Sequence, residues 1–329
     1  MSVAPARIKG QLCSVYSRAQ GEDPGGSAPS WERCLVVELE KPWTNDVIES
    51  KKFPAEVASA LALAETQGYS VRLQCVVPDA EYSSPGHTRV MLFSRPPRPF
   101  ARFLKRDYLV PSERVGELVR VLLDQSGELE SLDGYREDSD GVREMLVCTH
   151  GTRDVCCPSF GYPIYRNLRH EYAPRLDGRL RVWRTSHLGG HRLAPNLVDL
   201  PEGRNWVRIG PDQLDTLVFR ERPASDMRPF YRGWVGLDTP FEQVAEREVF
   251  MLEGWDLTAL PVTSRMTSSG NGSRSAKVRI EFPEPHGAGA VAYDAVVELA
   301  GIVPSVTCLG EGIKEEIEQY TTTQLEKVR

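Results

Sequence analysis

Apolar and polar positions alternate along the chain in two similar strings of elements, followed by a strand-rich tail. Cys34 to Glu40 alternates as a strand does. Pro54 to Gln67 opens on a proline and stops at Gly68, the marks of a helix. Ser70 to Pro78, Thr88 to Arg95 and Phe103 to Val110 read as strands. Ser112 to Leu123 reads as a helix with Val115, Leu118, Val119, Leu122 and Leu123 on one face. After a stretch from Asp124 to Asp140 that sets seven carboxylates against the single Arg136, the order returns. Glu144 to Thr149 reads as a strand, Gly161 to Tyr172 as a helix, and Leu180 to Arg184, Asn196 to Leu200 and Trp206 to Ile209 as strands, with Pro211 to Arg220 as the closing helix. Each string is βαβ, ββ, α.

A crossover helix makes the first two strands parallel, and the short links after them favour an antiparallel hairpin, which is the thioredoxin-like arrangement. The expected fold class is α/β, with two tandem thioredoxin-like units, each a mixed sheet flanked by helices, and a strand-rich C-terminal extension. The acidic stretch reads as a solvated linker, so the units are expected at 1–135 and 136–329, the β-rich extension starting near 256. Within the second unit Pro240 to Trp255 should be helical. Ala276 to Pro283 and Ala290 to Leu299 should pair as a hairpin, and Val303 to Cys308 should add a strand. Thr267 to Ser275 is expected to be mobile and Glu311 to Arg329 to form an exposed terminal helix.

Composition adds what the pattern does not. The 329 residues are 40 % hydrophobic and 26 % charged, ordinary globular usage that excludes a disordered or fibrous chain. The longest compact apolar stretch, Val57 to Ala64, is too short to cross a bilayer, and Met1 to Gly10 has no apolar run of the secretory kind. A cytoplasmic protein with no membrane and no nucleic-acid partner is the expectation. Seven cysteines form an odd, sparse set, which fits reduced thiols or metal ligands better than a disulfide framework. Net charge is -6, yet Gly141 to Gly210 holds eleven arginines, no lysine and six acids, a local +5. Such a face is either solvated or a docking surface for an acidic redox partner such as a flavin reductase.

The chemistry concentrates in the second unit. Cys148 ends its first strand, Cys157 follows nine residues later before the crossover helix, and His187 and His191 enclose Leu188-Gly189-Gly190 in the loop after the second parallel strand. Loops leaving one edge of a parallel sheet converge, so Cys148, Cys157, His187 and His191 can meet as a four-ligand metal site. Gly151, Gly189 and Gly190 let backbone amides approach a bulky inorganic centre. Zinc is the alternative, as a structural Cys2His2 site in an interaction module, although eight intervening residues are too open for a zinc knuckle. A Rieske arrangement fails because Phe160 stands where its second box needs a histidine. Thiol-disulfide chemistry at the vicinal Cys156 and Cys157 is disfavoured by the strained ring they would form.

The segments Val147 to Cys157, VCTHGTRDVCC, and Ser186 to Pro195, SHLGGHRLAP, resemble the sucrase/ferredoxin-like family. Glu38 with Pro42-Trp43, and Tyr231-Arg232-Gly233, extend the likeness over most of the chain. The resemblance implies a thioredoxin-like ferredoxin that transfers electrons through a 2Fe-2S cluster, with Cys148 and Cys157 on one iron and His187 and His191 on the other; ring N–H groups of the imidazoles, where exposed, would couple electron uptake to proton uptake. It implies no sucrase activity, since no convincing pair of catalytic carboxylates is visible, and an electron carrier is expected rather than an enzyme. Cys156 could replace Cys157 or be a buried thiol. His150 reads as a hydrogen-bonding neighbour of the site or a surface residue rather than a ligand, Asp154 and Arg153 as residues ordering the loop or merely solvated, and Trp183 and Trp206 as core or shield. Pro195 stands where such folds commonly carry a cis proline, a trans proline opening a strand being the alternative. Cys13, Cys34, Cys75 and Cys308 read as packing residues, and His87, His170 and His286 stand alone.

Overall fold

The computed structural model of the chain describes residues 12–124, 128–270, 274–285, 287, 289–308 and 315–328. Its first helix, α1 (Cys13–Ala19), carries no sequence-level helix signal strong enough to have been expected. The first βαβ, ββ, α string then follows: β1 (Arg33–Glu38), α2 (Ala55–Thr66), β2 (Val71–Val76), β3 (His87–Ser94), β4 (Leu104–Pro111) and α3 (Val115–Asp124). A short β5 (Arg136–Glu137) leads to the second string: β6 (Arg143–Cys148), α4 (Cys156–Asn167), β7 (Leu180–Thr185), β8 (Asn196–Leu200), β9 (Arg204–Val207) and α5 (Leu214–Phe219). After β10 (Tyr231–Trp234) and α6 (Pro240–Glu253) come β11 (Thr263–Gly270), β12 (Ser275–Pro283), β13 (Ala290–Ser305) and β14 (Glu315–Lys327).

The first ten strands form one mixed sheet in the order β10-β9-β8-β6-β7-β2-β1-β3-β4-β5, and the last four form a separate antiparallel sheet. Within the large sheet β2-β1-β3-β4 and β7-β6-β8-β9 have the same order and the same directions: β1 runs parallel to β2 and β6 to β7, and the remaining pairs are antiparallel. The two halves therefore repeat one topology, as the duplicated string implied. They meet antiparallel at β2 and β7, where Val77 N–H donates to the Arg184 carbonyl at 2.9 Å and Ser186 N–H to the Cys75 carbonyl at 2.8 Å. This joint rests on one register pair, too little to read from sequence.

Alternation along β1 splits its side chains between two cores. Leu35 and Val37 pack with Val57 of α2 and with Leu118 and Leu122 of α3. Cys34 and Val36 belong to the larger core with Met145, Trp183 and Trp206. A buried charge cluster ties the halves together. Lys105 of β4 donates to Glu144 of β6 at 2.6 Å, Trp183 Nε1 donates to the other oxygen of Glu144 at 2.7 Å, and Asp107 accepts from Arg89 at 2.7 Å and Arg181 at 2.8 Å. Each charge has an opposite partner, the condition for burying ions without a large desolvation penalty.

Several boundaries differ from the pattern reading. The acidic stretch is not wholly a solvated linker: Leu132 is buried, and Arg136 and Glu137 pair with Tyr108 and Asp107 of β4. The expected terminal helix is instead β14, hydrogen-bonded along β13 from Pro304↔Glu316 to Tyr293↔Lys327. Glutamate and lysine there favour helix, but the run Tyr320-Thr321-Thr322-Thr323 prefers a pleated surface, and the sixteen-residue β13 supplies the template. Val303 to Ser305 belong to β13 rather than to a strand of their own. Of the segment expected to be mobile, Thr267 to Gly270 lies in β11 and Ser275 in β12; residues 271–273 lie outside the described residues, as do His286 and 309–314. Among the described residues no helix is long and apolar enough to cross a membrane.

Candidate metal centre

Helix α4 begins at Cys156, five residues before the glycine at which the pattern placed it, and the Asp154 carboxylate accepts the Cys156 N–H at 2.8 Å, satisfying a donor of the first turn. Both vicinal cysteines thus stand in the first helical turn, where neighbours point about 100° apart. Each joins a different cluster.

Cys157 joins the expected group. Cys148, Cys157 and His187 offer ligand atoms that all lie within 4.8 Å of one another. The His187 Nδ1 is 3.9 Å from the Cys148 sulfur and 3.7 Å from that of Cys157, and both cysteines are buried. Gly161 makes this approach possible: a Cβ there would lie 2.1 Å from the Cys148 carbonyl oxygen, so only glycine lets α4 lie against the end of β6. The Cys157 thiol, with His187, holds Cys148 well below the usual thiol value, while Cys157, facing that thiolate in a buried site, is pushed up.

His191 is not a member of this trio. Its ring centre lies 5.9 Å from that of His187, and its Nδ1 faces the Cys13 sulfur at 3.1 Å and the Asp154 carboxylate at 3.2 Å. Cys156 sits with Cys13 and Cys308, at 3.3 Å from each sulfur. Cys13 and Cys308 pack in an apolar cluster with Tyr16 and Ala194, as read from the sequence, and their sulfurs also meet that of Cys156. Their chain separation from Cys156, 143 and 152 residues, leaves no local spacing that could have revealed them. All seven cysteines are free; Cys34 lies in the large apolar core and Cys75 in a small cluster with Leu39 and Trp43.

The remaining family-like residues position these loops. His150 accepts the His187 N–H at its Nδ1, at 3.2 Å, and donates from Nε2 to the Thr44 carbonyl at 2.8 Å, which fixes a neutral tautomer; burial pushes its pKa down. Its ring packs edge-on against Trp43 at 5.5 Å, and Thr152 donates to the Trp43 carbonyl at 3.0 Å, so the Pro42-Trp43 loop of the first half braces the loop that follows Cys148. Arg72 of β2 donates to the His187 carbonyl at 2.8 Å. Arg232, buried and with its pKa pulled down to about 9 by that burial, donates to the Gly189 carbonyl at 3.2 Å. The Ala194–Pro195 bond is cis, and Trp183 and Trp206 are core residues. Of the two readings left open for these loop residues, Asp154 takes the ordering one and Arg153, exposed, the solvated one. Arg143, Arg169, Arg181, Arg192 and Arg204 of the arginine-rich stretch are each paired with carboxylates of the same chain.

These loops carry the stretch that matches a known protein family: the sequence profile described as sucrase/ferredoxin-like aligns with residues 24–233. The chain belongs to the sucrase/ferredoxin-like family. That span contains both halves of the large sheet and every ligand named in the trio. A similar protein, altered inheritance of mitochondria protein 32 of Meyerozyma guilliermondii, is 27 % identical over 143 residues, 41 % of this chain and 50 % of that relative, so the match spans about half of its length. No solved structure gives a significant match.

Within a sucrase/ferredoxin-like chain, the donor chemistry of the trio suits a soft metal or an iron-sulfur group. Two buried sulfurs and an imidazole nitrogen converge there, with a second imidazole adjacent. Gly189 has a positive φ of 83° and open space where a Cβ would stand, so the loop between the histidines leaves room beside them.

Proposed function

We propose that the chain is a one-electron carrier holding a 2Fe-2S cluster on Cys148, Cys157, His187 and His191. The observation that carries this reading is the convergence of His187 Nδ1 on both buried thiols at 3.7 and 3.9 Å, in a chain whose HxxxH segment sets a second imidazole alongside. When bound, such a cluster supplies reversible one-electron oxidation and reduction. Cys148 and Cys157 present thiolates from the end of β6 and the start of α4. His187 presents Nδ1, and His191, whose Nδ1 is held by Cys13 and Asp154, has Nε2 left for iron.

The ligand set fixes the charge of the centre. Two thiolates and two neutral imidazoles around a core of about +2 leave it near neutral, whereas four thiolates would leave about -2. Arg72 and Lys41 act in the same direction. Arg72 is half-buried and carries its charge close to Cys148, and Lys41 Nζ lies 3.5 Å from the Thr149 carbonyl. Both cations favour the added electron, so the chain's own residues bias the site toward easy reduction. An imidazole ligand also keeps one ring nitrogen that can hold or release a proton, which couples electron uptake to proton uptake.

Chemical analysis tests the reading. Purified without air, the protein is expected to be red-brown with about two irons and two acid-labile sulfides per chain. Cys148→Ser or Cys157→Ser should lower iron about tenfold or more, while Cys75→Ser should not. A colourless protein whose trio holds one zinc, lost in Cys148→Ser, would contradict it.

A further inference from the structure

The second cysteine cluster supplies no ligand in the electron-carrier reading, and its composition is that of a metal site. Cys13 opens α1, Cys156 opens α4, and Cys308 follows the end of β13, yet the three sulfurs meet, with Cys156 at 3.3 Å from each of the others. Asp154 joins them, its carboxylate oxygens 3.8 and 3.9 Å from the Cys13 sulfur. All four ligand atoms lie within 4.8 Å of one another. Cys13, Cys156 and Asp154 are buried to 1 % exposure or less, and Cys308 is half-buried.

Two features separate this group from a chance packing of thiols. Three sulfurs cannot be consumed by one disulfide, which would leave the third as a buried thiol beside a carboxylate. The carboxylate also lacks a permanent counter-charge: among the described residues its ion-pair partner is His191, which is a cation only when protonated, with no lysine or arginine in ion-pair contact. A buried carboxylate calls for a cation. Tetrahedral zinc with bonds of about 2.3 Å to sulfur needs sulfurs roughly 3.8 Å apart, a relaxation of about half an ångström from the distances found here. Soft thiolates and a single oxygen select such an ion over magnesium or calcium.

We infer that Cys13, Cys156, Cys308 and Asp154 bind one zinc ion as a closed, structural four-ligand site next to the electron-transfer centre. Ligand loading releases the three thiol protons to solvent. The ion fastens the N-terminal helix and the end of β13 to the first turn of α4, so Cys156 and Cys157, neighbours in sequence, serve different metals. Asp154 then belongs to both neighbourhoods: one oxygen accepts the Cys156 N–H in the first turn of α4, and its carboxylate also faces the Nδ1 of His191. This inference does not rest on the iron-sulfur reading.

Metal analysis of the full chain, grown with zinc and desalted, tests it. About one zinc per chain is expected, independent of iron. Cys13→Ser/Cys308→Ser should lose zinc about tenfold. Cys148→Ser/Cys157→Ser should keep zinc and lose iron. Wild-type protein that retains less than about a tenth of an equivalent of zinc after incubation with excess zinc chloride would overturn the inference, as would a Cys13→Ser/Cys308→Ser variant that keeps it. If that variant loses both metals, alkylation of the wild-type chain decides. Zinc should protect Cys13, Cys156 and Cys308 until a strong chelator is added, and unchanged labelling of the three would refute the site. Absence of iron with zinc still at one equivalent would sink the electron-carrier reading alone.

Discussion

Replacing both His187 and His191 by cysteine should leave iron bound but lower its midpoint potential by about 200 mV or more, from the range of histidine-ligated centres toward that of four-thiolate ferredoxins. The reason is charge. Each exchange turns a neutral imidazole into a thiolate, taking the centre from about neutral to about -2, so an added electron meets two more negative charges. The same exchange removes both ring nitrogens that can carry a proton, and the potential should lose its dependence on pH. His187→Cys alone should account for roughly half of the shift, because that imidazole faces both thiols while His191 is anchored to Asp154 and Cys13. A redox titration across pH checks this, and a curve that overlays the wild type in both respects would rule out histidine ligation.

The second large effect is expected from a residue that carries no chemistry. Gly161 lies one helical turn after Cys157, on the same face of α4, and a methyl group there would sit 2.1 Å from the backbone carbonyl of Cys148 and 3.7 Å from Val147. The obstacle is backbone at the end of a central strand, which cannot rotate away. Gly161→Ala must therefore push α4 off β6, and with it Cys157 away from Cys148. A destabilisation of about 1–3 kcal/mol and a loss of half or more of the iron are expected. Gly141→Ala, at an exposed glycine with open space around it, should change neither. Thermal unfolding and iron content measured on both variants provide the check. Full iron loading and an unshifted melting temperature in Gly161→Ala would show that the contact between α4 and β6 does not set the site.

How much of this was legible in the sequence depends on whether a signal was local. The duplicated string of strands and helices was, because each element carries its own period, and it led to the repeated strand order on either side of the β2–β7 joint. Cys148, Cys157 and His187 were legible because a parallel βαβ unit brings its loops to one edge. His191 was grouped with them by the same loop argument and by the family likeness, and its Nδ1 turns to Asp154 and Cys13, a direction that four residues along a loop do not fix. Contacts made by distant segments left no trace. Cys308 is 152 residues from Cys156, and Arg232 is 43 from the glycine carbonyl it holds. The segment that became β14 misled for another reason. Its glutamates and lysine promise a helix, and only the long partner strand β13 turns its threonines into the deciding residues. Propensity gives way where a template is present.

The first half of the large sheet also frames the ligand trio. The first half has no counterpart of Cys148 or Cys157, yet Arg72, Trp43 and Thr44 from it hold His187, His150 and Thr152 in place. A site framed from both sides has less freedom to reorganise when its charge changes, which suits a carrier.

The most direct test of the central claim is electron paramagnetic resonance of the reduced full chain, with histidine nitrogen labelled. The account predicts a half-spin signal from a 2Fe-2S centre coupled to two imidazole nitrogens, one of which disappears in His187→Cys and the other in His191→Cys. A reduced protein with no such signal, or a cluster signal without coupling to either histidine, would contradict it.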